Sequence, residues 1–215
     1  IKNFPFASAN NLTLNLLGGK KVDVWAARIS YVGESGWELY FNNNKDDGIA
    51  LYDSLLEIGV IPVGIETYAN SRRLEKSFRL QGADLETEYN AIEAAIQRPL
   101  VKEADFHGKA AHLAQREEDP CAILCTMTLD ALNVSGKTRY PVGISPIIDP
   151  LTGEVPIDNK GRRSYTTGMS YCPSLKKFVV MGYLPREIAV QGKSLLIEYF
   201  NEDGDGLYPM TVQIV

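Results

Sequence analysis

The chain of 215 residues contains only two histidines, three cysteines and two tryptophans. Neither His107 nor His112 is accompanied by a nucleophile-elbow serine or a comparable catalytic partner in sequence. Cys121, Cys125 and Cys172 are odd in number and include no CxxC pair, so a disulfide framework is not expected and a reducing compartment fits. His107 and His112 lie near Cys121 and Cys125, but structural zinc ligands come in tighter pairs, so these four residues read as core or surface. Positive charge is also short: 22 Lys and Arg against 27 Asp and Glu give a net charge of −5. Without a basic excess to neutralise phosphates, nucleic acid is not an expected partner. No apolar run approaches the ~18 residues of a membrane span, so no membrane partner is expected. Walker-type and GxGxxG phosphate loops are absent. Asp203-Gly204-Asp205-Gly206 lacks the ligand pattern and closing glutamate of a calcium loop and reads as a hairpin turn. No secretory leader is present, and the opening on Ile1 points to a processed product or a piece of something longer. The expected location is cytoplasmic, or the mitochondrial matrix in a eukaryote.

What is present is ordinary for a folded domain: 45% hydrophobic and 23% charged residues, enough for one large or two small cores. Residues 11–17 and 22–30 alternate around Gly18-Gly19, the pattern of a β-hairpin with a glycine turn. Trp37, Leu39 and Phe41 continue the alternation as a third strand. A helix capped by Asp46 or Asp47 follows, with Ile49, Tyr52, Leu55 and Leu56 on one face and Gly59 at its end. The spacing predicts a second helix over 67–78, with Ala69, Leu74 and Phe78 inward and Glu75 four residues before Arg79. A short apolar stretch spans 92–96, and a third helix runs over 108–117. Beyond Asp119-Pro120 the pattern turns to strands: one carrying Ile123, Cys125, Met127 and Leu129, then others near 138–147, 163–170, 177–184, 193–200 and 207–215, separated by turn-forming groups. The expected fold class is α+β. A mixed antiparallel sheet-plus-helix unit over 1–118 precedes a small all-β barrel over 119–215.

The most chemically suggestive stretch is 28–41, Arg-Ile-Ser-Tyr-Val-Gly-Glu-Ser-Gly-Trp-Glu-Leu-Tyr-Phe. Tyr31 and Glu38 are an odd interval apart and would face opposite sides of a straight strand. A turn between Gly33 and Gly36 breaks that parity and lets both converge on one pocket. On the residues alone, the favoured reading is that Glu38 is an exposed strand residue and Tyr31 an interface aromatic.

Y-V-G-E-S-G-W-E-L resembles the signature of the aminomethyltransferase (glycine-cleavage T-protein) family, in which this segment holds the pterin of tetrahydrofolate. Ser71-Arg72-Arg73-Leu74-Glu75-Lys76-Ser77-Phe78-Arg79 is similar to the S-L-R-L-E-K-G-Y-R of the branch that includes dimethylglycine and sarcosine dehydrogenases. T-proteins proper more often carry A-R-D-x-x-R-L-E-A, and the alignment puts Ala69 where their arginine stands. Asp105-Phe106-His107-Gly108-Lys109-Ala110-Ala111 resembles D-F-x-G-x-x-A-L. Thr167-Gly168 through Leu175 and Gly182-Tyr183-Leu184-Pro185 resemble T-S-G-x-x-S-P-x-L and G-Y-V-P, marks of the family's C-terminal barrel. Asn90-Ala91-Ile92-Glu93-Ala94-Ala95 is a weakened T-P-x-E-A-G. The K-G-C-Y-x-G-Q-E of iron–sulfur-assembly relatives does not occur.

The resemblance implies the C-terminal portion of a module that passes a methylene unit from a methylated amine to tetrahydrofolate. The alternative is a non-catalytic folate-binding or structural domain of a larger protein. Implied cofactor-binding residues are Tyr31, Gly33, Glu34, Glu38 and Arg73. For Arg73 and Glu75, an ion pair on a helix surface or between elements fits equally well. A carboxylate suits the pterin because the ring presents adjacent N–H donors, and charge-assisted bonds of this kind contribute roughly 1.5–3 kcal/mol each. The family's catalytic aspartate lies upstream of the matched segment, so no residue here inherits it. FAD belongs only to a possible parent protein, whose missing N-terminal half or other domains are the implied partners.

Overall fold

Gly18 and Gly19 adopt left-handed φ values of 78° and 82°, a conformation open to glycine without a Cβ penalty. They reverse the chain between β1 (Ala9–Asn15) and β2 (Lys21–Ala27). The computed structural model describes residues 4–42, 44–97, 100–129, 143–201 and 204–213. These form two compact units, Ile1–Ala69 and Asn70–Val215. Within the second, Leu74 and Ala94 pack on Leu124, Val179 and Met181 of the β-rich part.

In the first unit, β3 (Glu38–Tyr40) pairs antiparallel with β2, giving the sheet order β1-β2-β3. One face of this sheet is apolar: Val22, Val24 and Ala26 are buried with Leu16, Phe4 and Leu51, and Leu14, Leu39 and Leu55 pack beside them. Leu51 and Leu55 come from α1 (Lys45–Glu57). The helix is capped by Asn44, whose side-chain oxygen accepts from the Asp46 N–H at 3.0 Å, and not by Asp46 or Asp47. Those two acids stand in the first turn, where the helix dipole favours them.

The helix expected over 67–78 is not a continuous α-helix. Glu66–Arg72 is a π-helix, followed by one short α-helical turn, α2 (Arg73–Glu75). Glu75 is therefore not set against Arg79. It takes Arg72 at 2.9 Å, while Arg79 donates to the carbonyls of Ser77 and Ala94. α3 (Lys109–Arg116) follows close to expectation.

In the second unit, β4 (Ala122–Leu129), β5 (Ile147–Ile148), β6 (Thr166–Cys172), β7 (Lys177–Pro185), β8 (Ser194–Asn201) and β9 (Gly204–Gln213) form a sheet in the order β5-β8-β9-β4-β7-β6. The two ends of that order meet. Ile144 and Ile147 donate to the carbonyls of Thr166 and Ser164, and Thr166 donates back to Ser145 at 2.9 Å, so the sheet closes on itself as a small barrel. Closure removes the open edges. Alternate residues of β4 serve two cores. Cys125, Met127 and Leu129 pack inside with Ile147, Val180, Leu184, Leu195, Ile197 and Met210, and Ile123 packs against that core. Ala122 and Leu124 pack outside with Leu74, Ala94, Val179 and Met181. The expected strand start at 138 and the turn position Asp203 lie outside the described residues.

Candidate functional site

The loop 28–37 joins β2 to β3, so the expected hairpin exists, with its strands ending at Ala27 and beginning at Glu38. The loop folds back on itself. A Cβ at Gly36 would stand 2.9 Å from the Ile29 carbonyl and 3.2 Å from the Ser30 Cβ. Gly33 has φ 71°, and the Val32 N–H reaches the Ser30 hydroxyl at 3.3 Å. Both glycines are thus required for different reasons, one for the close approach and one for the left-handed backbone. The neck of the loop is fastened by Arg28, which donates to the Phe4 carbonyl at 2.5 Å and lies 6.0 Å from the centre of the Trp37 ring. Trp37 meets Phe4 edge-on at 4.5 Å.

On β3, Glu38 and Tyr40 share the face opposite Leu39. The Tyr40 hydroxyl donates to Glu38 Oε2. The Trp25 ring, cross-strand from Tyr40, lies 5.2 Å from it. Tyr40 titrates above its ordinary value because of the bond it donates to Glu38, then because of the charge on Glu38 and, to a lesser degree, that of Tyr68. Tyr68 comes from the π-helix, and its ring centre is 5.5 Å from that of Tyr31, tilted by 49°. Tyr31 and Tyr68 thus form one ring pair, and Tyr40 and Glu38 a hydrogen-bonded pair on β3. Glu38 and Tyr31 are half-buried, while Glu34 is exposed on the loop with its side chain in solvent.

This arrangement can do two things. A carboxylate has two oxygens and about four lone-pair positions, so one bond from Tyr40 orients Glu38 and leaves capacity for a ligand's N–H groups. Beside it, the tilted Tyr40 and Trp25 rings, and elsewhere in the same unit those of Tyr31 and Tyr68, offer faces on which a flat heterocycle can stack. Sequence reasoning missed Tyr40 and Tyr68. Tyr40 had a signal, since it is two residues from Glu38 on one strand. Tyr68 had none, because its approach depends on the π-helical backbone.

Arg73 is placed differently. Its guanidinium is 1% exposed and is paired with Asp84, which is fully buried. It also donates to the Phe78 carbonyl at 3.0 Å. Asp84 accepts from the Leu80 N–H at 2.8 Å and from the Thr167 hydroxyl. A Cβ at Gly168 would fall 2.7 Å from an Arg73 nitrogen, so the glycine makes room for the guanidinium. Glu75 accepts from the Ser174 N–H at 2.9 Å. The segments 71–79 and 167–175, each singled out in sequence, thus meet around one buried ion pair.

Glu93, 1% exposed, is held likewise by Arg162 at 2.5 Å, and Arg162 also grips Asp158 at 2.7 Å. Burial pushes the Glu93 carboxyl up, but the Arg162 hydrogen bond, the Asn90 N–H and the charges of Arg162 and Lys160 outweigh it and leave the carboxyl below its ordinary value. Arg162 lies 4.2 Å over the Tyr89 ring, which stacks on Tyr183 at 3.5 Å. Burial pushes the Cys125 thiol up to about 12, and that of Cys172 also to about 12, where thiolate chemistry is suppressed.

Residues 1–103 match the GCVT N-terminal domain family. Mitochondrial dimethylglycine dehydrogenase of Rattus norvegicus is 32% identical over 218 residues, which is 97% of this chain and 22% of that protein. Aminomethyltransferase of Koribacter versatilis (strain Ellin345) is 29% identical over 188 residues, covering 84% of this chain and 45% of the relative. The glycine cleavage system aminomethyltransferase T from Bartonella henselae shares the fold, with a TM-score of 0.72 at 20% identity over 100% of this chain and 53% of that one. The chain therefore spans about a fifth to about half of the length of these proteins.

Proposed function

Because the chain belongs to the aminomethyltransferase (glycine-cleavage T-protein) family, we propose that it holds tetrahydrofolate as the acceptor of a one-carbon unit within a larger enzyme. The observation that carries this reading is the Glu38–Tyr40 pair, with Tyr31 and its ring partner Tyr68, on and against the one segment whose sequence most resembles the family's pterin-binding signature. The geometry fits the ligand class: an oriented, half-buried carboxylate suits the N–H edge of a pterin, and adjacent aromatic faces suit its flat ring. When bound, tetrahydrofolate supplies the nitrogens that accept the carbon.

The residues of this chain do the holding. Glu38 accepts from the ring's donors, Tyr40 fixes the rotamer of Glu38, and Tyr31 packs against the heterocycle. Gly33 and Gly36 set the loop that presents Tyr31, and Glu34, out in solvent, shapes that turn. Arg73 belongs to this reading as scaffold, since its charge is matched by Asp84. Transfer from a methylated amine is proposed for the longer protein, whose other domains are the partners of this one. The compartment that goes with this reading is the cytoplasm, or the mitochondrial matrix in a eukaryote. No helix among the described residues is long and apolar enough to cross a membrane.

Calorimetric titration of the chain with tetrahydrofolate tests the proposal. Saturable one-to-one binding is the expected result. No heat and no competition at millimolar ligand overturns it in favour of a purely structural domain.

A further inference from the structure

We infer that Tyr68 is a ligand-contacting residue that sets selectivity for the reduced ring, an assignment that rests on the folate reading above. Two observations converge on it. Its ring is 40% exposed, although its neighbour Ser71 in the same π-helix is buried. Its ring centre stands 5.5 Å from that of Tyr31 at 49°, forming a corner built from two separate segments of chain.

The backbone explains how it gets there. The N–H groups of Thr67 and Tyr68 both point to the Gly64 carbonyl, at 3.1 and 3.3 Å. From Glu66 the chain then winds with the wider π repeat. Such single wide turns are rare and cluster at functional sites. A regular α-helix through 66–72 would change the direction of Tyr68 relative to that of Ser71, and the aromatic corner would be lost.

The corner's chemistry points to its use. At 5.5 Å the two rings are too close to admit a ligand between them, so a flat ligand must lie across the tilted pair. It would stack on one face and meet the edge of the other. A reduced pterin is puckered at its saturated carbons, whereas an oxidised pterin is planar throughout. A tilted pair complements the puckered ring better than a parallel clamp would. Tyr68 therefore carries shape selectivity, while Glu38 carries hydrogen-bond selectivity.

The test is a set of calorimetric titrations of the full chain, using tetrahydrofolate and folic acid as the two probes, on wild type, Tyr68→Leu, Tyr68→Phe and Glu38→Gln. Expected results are a loss of about tenfold in tetrahydrofolate affinity for Tyr68→Leu, with a smaller loss for folic acid. Tyr68→Phe should stay within about twofold of wild type, since the ring face is kept. Thermal unfolding of each variant, run alongside, must show the same midpoint for Tyr68→Leu as for wild type, because an exposed ring contributes little to the core. Equal affinity in Tyr68→Leu, with loss in Glu38→Gln, overturns the Tyr68 assignment and leaves the folate reading standing. Equal affinity in Glu38→Gln, or no binding by wild type, overturns the folate reading and this inference with it. A lowered midpoint in Tyr68→Leu together with equal losses for both probes assigns the residue to structure and also overturns the inference.

Discussion

The two units each contain a carboxylate paired with a neighbour, and the pairs behave in opposite ways. In the first, Glu38 is half-buried and takes one hydroxyl, and aromatic rings around it remain accessible. In the second, Asp84 is wholly enclosed by Arg73, Thr167 and the Leu80 N–H, and Glu93 by Arg162 and the Asn90 N–H. The first site has capacity to spare and the second has used its capacity on the protein itself. Total burial with a matched partner makes Asp84 and Glu93 architecture, whereas incomplete burial leaves Glu38 open to a ligand.

That contrast can be broken most severely at Asp84. Asp84→Ala leaves the Arg73 guanidinium buried without its counter-charge and is expected to cost about 4 kcal/mol in denaturant unfolding. A loss below about 1 kcal/mol means that Arg73 is not held as described. Glu93→Gln should cost about 3 kcal/mol through its lost charge-assisted bonds, although Arg162 keeps Asp158 as a counter-charge, and it carries a pH signature. The folded carboxyl titrates below the ordinary value of 4.5, so its contribution is complete above that pH and is lost as pH falls through the lower folded value. Wild type should therefore lose stability on acidification below about 4.5, with a shallower acid limb in Glu93→Gln. Identical limbs contradict the pairing.

The smallest of these effects concerns the first unit. Gly36→Ala drives a Cβ against the Ile29 carbonyl and should cost about 2 kcal/mol, with the damage confined to loop 28–37. Hydrogen exchange that reports wild-type protection across that loop contradicts the close approach.

Much of this was legible from the chain, and the failures have physical causes. The strands followed from alternation because each has one face in a core, as with Ile123, Cys125, Met127 and Leu129 on β4. The glycine turn at 18–19 and the last helix also followed from local rules. The helix over 67–78 did not. Ala69, Leu74 and Phe78 fit an α period, but the wider π winding and the early stop at Glu75 come from tertiary partners such as Ser174 and Asp84. Tyr31 and Glu38 stood out through the glycine spacing between them. The partners of Arg73 and Glu93 could not be read, since Asp84, Thr167 and Arg162 approach only once the barrel has closed.

The central claim is that Glu38 receives the donor edge of a reduced pterin, and the binding of tetrahydrofolate to Glu38→Gln tests it most directly. Each charge-assisted bond lost is worth roughly 1.5–3 kcal/mol, so the account predicts a Kd weakened by about ten- to a hundredfold with unfolding unchanged. Wild-type affinity in the variant contradicts it.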